Sequence, residues 1–179
     1  MRRLSFLLTL FSMPAWSLMT GCATGTGDGP LADPVVVYLV RHAERAEDGT
    51  NDPPISDAGE SRAHELAALL KDAGIDHVHS TDLKRTRQTG APIVEALATP
   101  VEVYDPTDLP GFATTLRSTP GRHLVLGHSN TTPDLVAALG GTPGDAIDES
   151  EYDRLYVVVV PAKGPVSTVL LRYGARFRP

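Results

Sequence analysis

One cysteine among 179 residues permits no internal disulfide, and no Cys/His cluster has zinc-site spacing. Positive charge is in deficit. Sixteen Lys and Arg face 22 Asp and Glu, a net charge of −6 that argues against a general nucleic-acid binder or a basic membrane-surface protein. The apolar run from Leu4 to Met19 is broken by Pro14 and falls short of the roughly 20 residues a spanning helix needs. No internal repeat is evident. The rest of the composition, 41% hydrophobic and 21% charged with 15 Pro and 16 Gly, is ordinary and excludes collagenous, disordered and disulfide-dense chains. The length suits a single domain with one substantial core.

Arg2 and Arg3 form a positive segment ahead of the apolar run, which together read as a secretory signal. The phenylalanine stands one position late for twin-arginine export, so the general secretory route is expected. Leu18-Met19-Thr20-Gly21-Cys22 resembles the bacterial lipoprotein signal, in which Cys22 becomes the lipidated first residue of the mature chain. A free thiol would be a liability in an oxidising compartment, which favours lipidation over an unpaired cysteine. Residues 22–34 are small and Gly-rich, a flexible tether spanning roughly 20 Å root-mean-square. The expected layout is therefore a signal over 1–21, a lipidated Cys22 and tether over 22–34, and a folded domain over 35–179. Ala23 beside the cysteine resembles the outer-membrane sorting choice, so the periplasmic face of the outer membrane is the expected location, with the membrane held only through the lipid.

Val35 to Val40 is a continuous apolar run, as expected of a strand buried on both faces. Ser56 can cap a helix to about Asp72, in which Ala63, Leu66, Ala67 and Leu70 form one stripe, and Gly74 suits its end. A short strand over Asp76–His79 and a helix over Leu83–Leu97, kinked or divided by Pro92, follow. Val101–Tyr104 and His123–Gly127 read as strands, Thr132-Pro133-Asp134 opens a helix ending near Gly140-Gly141, and Leu155–Val160 and Val166–Arg172 close the chain as two strands. This alternation predicts one α/β domain with a mostly parallel sheet.

Ligands of an open α/β sheet bind beyond the carboxyl ends of its strands, so the residues after each apolar run are the candidates. After the first come Arg41-His42-Ala43-Glu44, after the second Ser80 to Thr89 with Arg85 and Arg87, and after the fourth His128-Ser129-Asn130. Two histidines and at least two arginines converging in an acidic chain imply a small anionic ligand, with phosphate the leading candidate.

In these segments and their order, over about Val35 to Gly174, the chain resembles the histidine phosphatase superfamily, the phosphoglycerate-mutase-like fold, in its small branch-1 form. Arg41-His42-Ala43-Glu44 stands where that family has its Arg-His-Gly-type signature, Ser80–Thr89 matches the second-arginine segment, and Gly127-His128-Ser129-Asn130 the second-histidine segment. The resemblance implies a three-layer α/β/α domain on a mixed sheet of about six strands. It implies His42 as nucleophile forming a phosphohistidine, with Arg41 and Arg85 binding phosphate oxygens and His128 donating to them. Asn130 is a further phosphate-binding candidate. No metal or other cofactor is required. Larger members carry a carboxylic acid in an insertion between the second arginine and the second histidine. Here that region is short, and Asp105, Asp108 or Glu44 are the candidate proton donors, with Glu44 more often a structural partner at this family position.

The pattern thus predicts a phosphatase acting on a small phosphorylated substrate. Two alternatives share its residues: a lipoprotein that binds a phosphorylated ligand without turnover, and a phosphohistidine phosphatase acting on a protein. Arg87 should point away into solvent. Ser80 and Thr81 are as suited to capping the next helix as to touching phosphate, His77 and His79 share a strand face on which packing is favoured over metal binding, and His64 and His123 read as surface or helix-flanking residues.

Overall fold

The computed structural model describes residues 33–178. The signal segment, Cys22 and nearly all of the tether lie outside the described residues. The chain runs β1 (Val35–Arg41), α1 (Asp57–Leu70), β2 (His77–Ser80), α2 (Lys84–Leu97), β3 (Val101–Val103), α3 (Leu109–Ser118), β4 (Arg122–Gly127), α4 (Thr131–Ala138), β5 (Arg154–Val160) and β6 (Ser167–Arg172). One six-stranded sheet has the order β3-β2-β4-β1-β5-β6. The first four strands are mutually parallel, and β5 and β6 each run antiparallel to the strand before them in that order.

Strand β1 lies inside the sheet and is covered on both faces, which is why its sequence does not alternate. Val35, Val37 and Leu39 pack with Leu116 of α3 and Leu135, Val136 and Leu139 at α4. Tyr38 and Val40 face the other way, toward Leu66 and Leu70 of α1 and Ile93 of α2. Helices therefore cover both faces in three layers. Ser56 caps α1 by accepting from Gly59 N at 3.3 Å.

Two elements differ from expectation. Pro92 neither ends nor divides α2, which runs unbroken to Leu97. Proline forgoes one backbone bond there, and packing on α1 with Ile93 fully buried holds the helix in one piece. Helix α3 was not foreseen. Its first turn, Leu109-Pro110-Gly111, reads locally as a turn, yet Asp108 caps it through Gly111 N at 3.0 Å and proline is well suited to a helix start.

His123 is not a surface residue: it is fully buried on the α3 side of the sheet, stacked with His77 and His79. His123 Nε2 lies 3.0 Å from the Thr119 carbonyl, which can only accept, so that nitrogen carries the proton. His123 Nδ1 then accepts from His79 Nε2 at 3.0 Å. Neutral rings complete the chain. Burial drives His79 down to about 4 against the pull of Glu102, and His123 is lowered for the same first reason, with His77 adding repulsion. A histidine held below its unfolded value of about 6.5 favours the folded state above that pH, and the contribution is lost as pH falls toward the folded value. We expect denaturant unfolding to show stability falling by about 2 kcal/mol between pH 6.5 and 4 from this cluster. His79→Gln should flatten that slope, and an unchanged slope would remove the cluster from the explanation.

Candidate active site

Parallel pairing places the site. The β1–β4 register sets Arg41 opposite Gly127, and the β2–β4 register sets Ser80 opposite Leu126. His42, His128 and Thr81 therefore leave adjacent strands side by side, and His42 N donates to Gly127 O at 2.9 Å. The two histidine rings meet edge to face, 5.4 Å between centroids. Gly127 has no room for a side chain, since a Cβ would stand 2.9 Å from Thr132 Oγ1 and 3.1 Å from both Thr131 Oγ1 and Tyr104 Oη.

His42 Nδ1 lies 2.8 Å from the Ala43 carbonyl, an acceptor only, so Nδ1 carries the proton and Nε2 keeps its lone pair. Ala43 N donates to Thr89 Oγ1 at 2.8 Å, and that hydroxyl donates to Arg85 O at 2.7 Å. Helix α2 thus holds the segment after His42 from the same turns that carry Arg85. Burial first, then the charges of Arg41 and Arg85 and the nearby His128, push His42 down to about 3 against the Ala43 bond. A ring so shifted is neutral at physiological pH.

His128 is set by a hydroxyl relay. Thr86 Oγ1 spends its single proton on the carbonyl of Leu83 or Thr81, at 2.8 and 3.0 Å, and so accepts from Thr81 Oγ1 at 2.8 Å. Thr81 in turn accepts from His128 Nε2 at 3.1 Å. Neither Ser80 nor Thr81 caps α2, whose N-cap is Leu83; Ser80 Oγ donates to Thr81 O. Burial, then Arg85 and Arg41, lower His128 to about 4.

Arg41 is 3% exposed and lies 4.1 Å above the Tyr152 ring. Its Nη1 donates to the carbonyls of Asp148 and Glu151 at 2.8 and 3.0 Å, and Nη2 reaches Glu149 Oε2 at 3.4 Å. All three partners come from the segment before β5, which sequence reasoning passed over. That segment is anchored from behind: Glu151 is held by Arg154 at 2.7 and 2.9 Å and by Arg172, which also binds Asp153 at 2.6 Å. Three buried guanidinium nitrogens, Arg41 Nε, Arg85 Nε and Arg85 Nη1, have no hydrogen-bond partner. Buried donors are seldom left so, and guanidinium N–H groups beside a neutral histidine suit the oxygens of a tetrahedral oxyanion.

The remaining candidates have other work. Both oxygens of Glu44 are gripped by Arg62, at 2.7–3.0 Å, and Arg62 continues to the Tyr173 and Ala175 carbonyls. Asp105 accepts from Thr107 N and Oγ1 in a local turn that lowers its pKa, and Asp108 caps α3. These two aspartates line a groove of about 380 Å³ beside His79 and Phe112 that none of the arginine and histidine candidates enters. All three carboxylates thus accept hydrogen bonds from other groups of the chain. Asn130 is exposed at the start of α4 and makes no capping bond. Arg87 binds Asp82 at 2.6 Å in solvent. Among the described residues no group of three His, Cys, Asp or Glu is arranged to hold a metal ion.

The family model described as the histidine phosphatase superfamily (branch 1) matches residues 37–106. Over 66 residues the chain is 44% identical to Probable phosphoglycerate mutase GpmB of Escherichia coli O1:K1, a match covering 34% of this chain and 31% of that protein. The chain thus spans about a third of the length of the curated relatives it matches. Among solved structures, it is similar to the protein histidine phosphatase SixA complexed with tungstate, with a TM-score of 0.63 at 20% identity over 76% of this chain and 96% of that one. The alpha-ribazole phosphatase from Shigella flexneri gives 0.62 at 16% identity over 79% and 96%. These structural likenesses are likenesses of fold.

An oxyanion should bind where the guanidinium nitrogens lack partners. Calorimetry with orthovanadate should show Arg41→Ala and Arg85→Ala each weakening affinity by about 10- to 100-fold, the worth of charged hydrogen bonds. Arg85→Lys should restore little, because an ammonium cannot supply two parallel donors.

Proposed function

We propose that this chain, whose residues 37–106 match the model of the histidine phosphatase superfamily (branch 1), hydrolyses phosphomonoesters through a phosphohistidine on His42 and without a metal. The observation that carries this reading is the set of three buried guanidinium nitrogens without hydrogen-bond partners, on two arginines whose charges act on a histidine whose Nε2 lone pair is free. Arg41 and Arg85 hold the phosphate oxygens. His42 Nε2 attacks phosphorus, the bond to the leaving oxygen breaks, and that oxygen keeps the electron pair and takes a proton from water. Water then attacks phosphorus and gives a proton to the hydroxide left by the first step, the N–P bond breaks with its electron pair returning to Nε2, and orthophosphate leaves with His42 restored. His128, its Nε2 held by Thr81, takes a proton alongside the incoming dianion and donates to it from its other nitrogen.

Glu44, Asp105 and Asp108 are committed elsewhere. The chemistry should therefore depend on how readily the leaving group departs. Aryl phosphates should turn over about 100-fold or more faster than simple alkyl phosphates, the usual worth of a missing general acid.

Hydrolysis of an aryl phosphate by the full chain, with chelator present, tests the reading directly. Turnover should survive chelation and vanish in His42→Ala, and acid-labile radiolabel should be trapped on wild type alone. Vanadate binding without turnover would instead favour a protein that holds a phosphorylated ligand. For the N-terminal segment we propose export and lipidation at Cys22, with the protein on the periplasmic side of the outer membrane; the Leu18–Cys22 pattern and Ala23 support this. Mass spectrometry of membrane-extracted protein should find the chain beginning at a diacylated Cys22, and an unmodified cysteine there would rule lipidation out.

A further inference from the structure

Beside the phosphate clamp lies a groove of about 440 Å³ that the reaction above does not use. It begins at Ser129 and Asn130, the two residues after His128, and Glu149 closes its near side. Glu149 is the carboxylate that reaches Arg41 Nη2 at 3.4 Å, and its other oxygen accepts from Ser129 Oγ at 3.3 Å, yet its side chain is 81% exposed. Asp134, in the first turn of α4, supplies a second carboxylate to the lining, and Ile147 and Pro143 supply an apolar floor. Among the described residues lining the groove, no side chain is basic.

This is the reverse of what a polyanionic ligand would need. The clamp's arginines already have carboxylates close by, Glu149 at 3.4 Å from Arg41 and Asp52 at 3.8 Å from Arg85. A phosphate dianion arriving there adds negative charge to a site whose two positive charges are partly balanced. A cation on the same ligand, lying along the groove with Glu149 and Asp134, offsets that excess. The buried, unpartnered Arg41 Nε fixes the phosphate end of such a ligand, and the groove fixes the other.

We propose that the groove between Ser129, Asp134 and Glu149 is a subsite for the organic body of the phosphorylated substrate, and that this body carries an ammonium group on an apolar frame. The inference rests on the phosphatase reading for its phosphate end and deepens it by naming a substrate class: aminoalkyl- or aminoaryl-bearing phosphomonoesters. Glu149 and Asp134 are then specificity-determining residues that select by charge.

Two probes of matched shape decide it, 4-(aminomethyl)phenyl phosphate and 4-ethylphenyl phosphate, with 4-(carboxymethyl)phenyl phosphate as the anionic member. The full chain should favour the cationic ester over the neutral one by about tenfold in kcat/KM and disfavour the anionic one, with the preference shrinking as salt rises. Glu149→Gln and Asp134→Asn should each cut the cationic-to-neutral ratio by about threefold to fivefold, whatever they do to the separate rates. The corresponding benzylphosphonates, which cannot be hydrolysed, report the same ratio as affinities in calorimetry. A ratio near one, an anionic preference, or a ratio that the two substitutions leave unchanged overturns the subsite, even if all three esters are cleaved. A phosphonate affinity ratio that follows Glu149 and Asp134 in a protein without turnover keeps the subsite and sinks the phosphatase reading.

Discussion

The parallel ladder between β1 and β4 determines where every other group in the site must stand. Because Arg41 pairs with Gly127, the next residue on each strand is a histidine, and the two rings emerge from neighbouring strand ends with no loop to blur their spacing. A slip of one residue would turn Arg41 and His42 to opposite faces, exchanging a core position for a site position. The register is held by burial on both sides, Val37 and Leu39 against α3 and α4, Val40 against α1 and α2. The hydrophobic core and the chemistry are thus specified by the same hydrogen bonds. Gly127 shows how tightly, since the space a methyl would take is filled by two threonines and a tyrosine.

Much of this was legible in the chain. Apolar runs marked the buried strands, and the segments that follow them supplied the candidates Arg41, His42, Arg85 and His128. What was hidden falls into two physical kinds. Some partners are backbone atoms: Arg41 is oriented by the carbonyls of Asp148 and Glu151, and a carbonyl is advertised by no residue type. Other features were masked by local chemistry that pointed elsewhere. Leu109, Phe112, Ala113 and Leu116 carry the i, i+3, i+4, i+7 spacing of a helix, but the Pro-Gly pair at its start reads first as a turn. His123 looked superficial because histidine usually is, and only the pairing of β4 with β2 brings it against His79.

Thr81, Thr86 and Thr89 show the same limit. Threonine in and beside a helix start suggests capping, but the structure uses the hydroxyls as relays, one line reaching His128 and the other Ala43. The first line chooses which imidazole nitrogen of His128 carries a proton, as the Ala43 carbonyl does for His42. Burial supplies the complementary effect by keeping both site histidines uncharged beside two arginines. Geometry selects the nitrogen, and desolvation selects the protonation state.

The direction of β1 has a further consequence. The strand enters the sheet at Val35 and delivers Arg41 to the site at its far end, so the point where the preceding chain attaches stands about 20 Å from the histidines along the strand axis. A carrier fused directly ahead of Val35 would join the sheet at the end opposite the pocket.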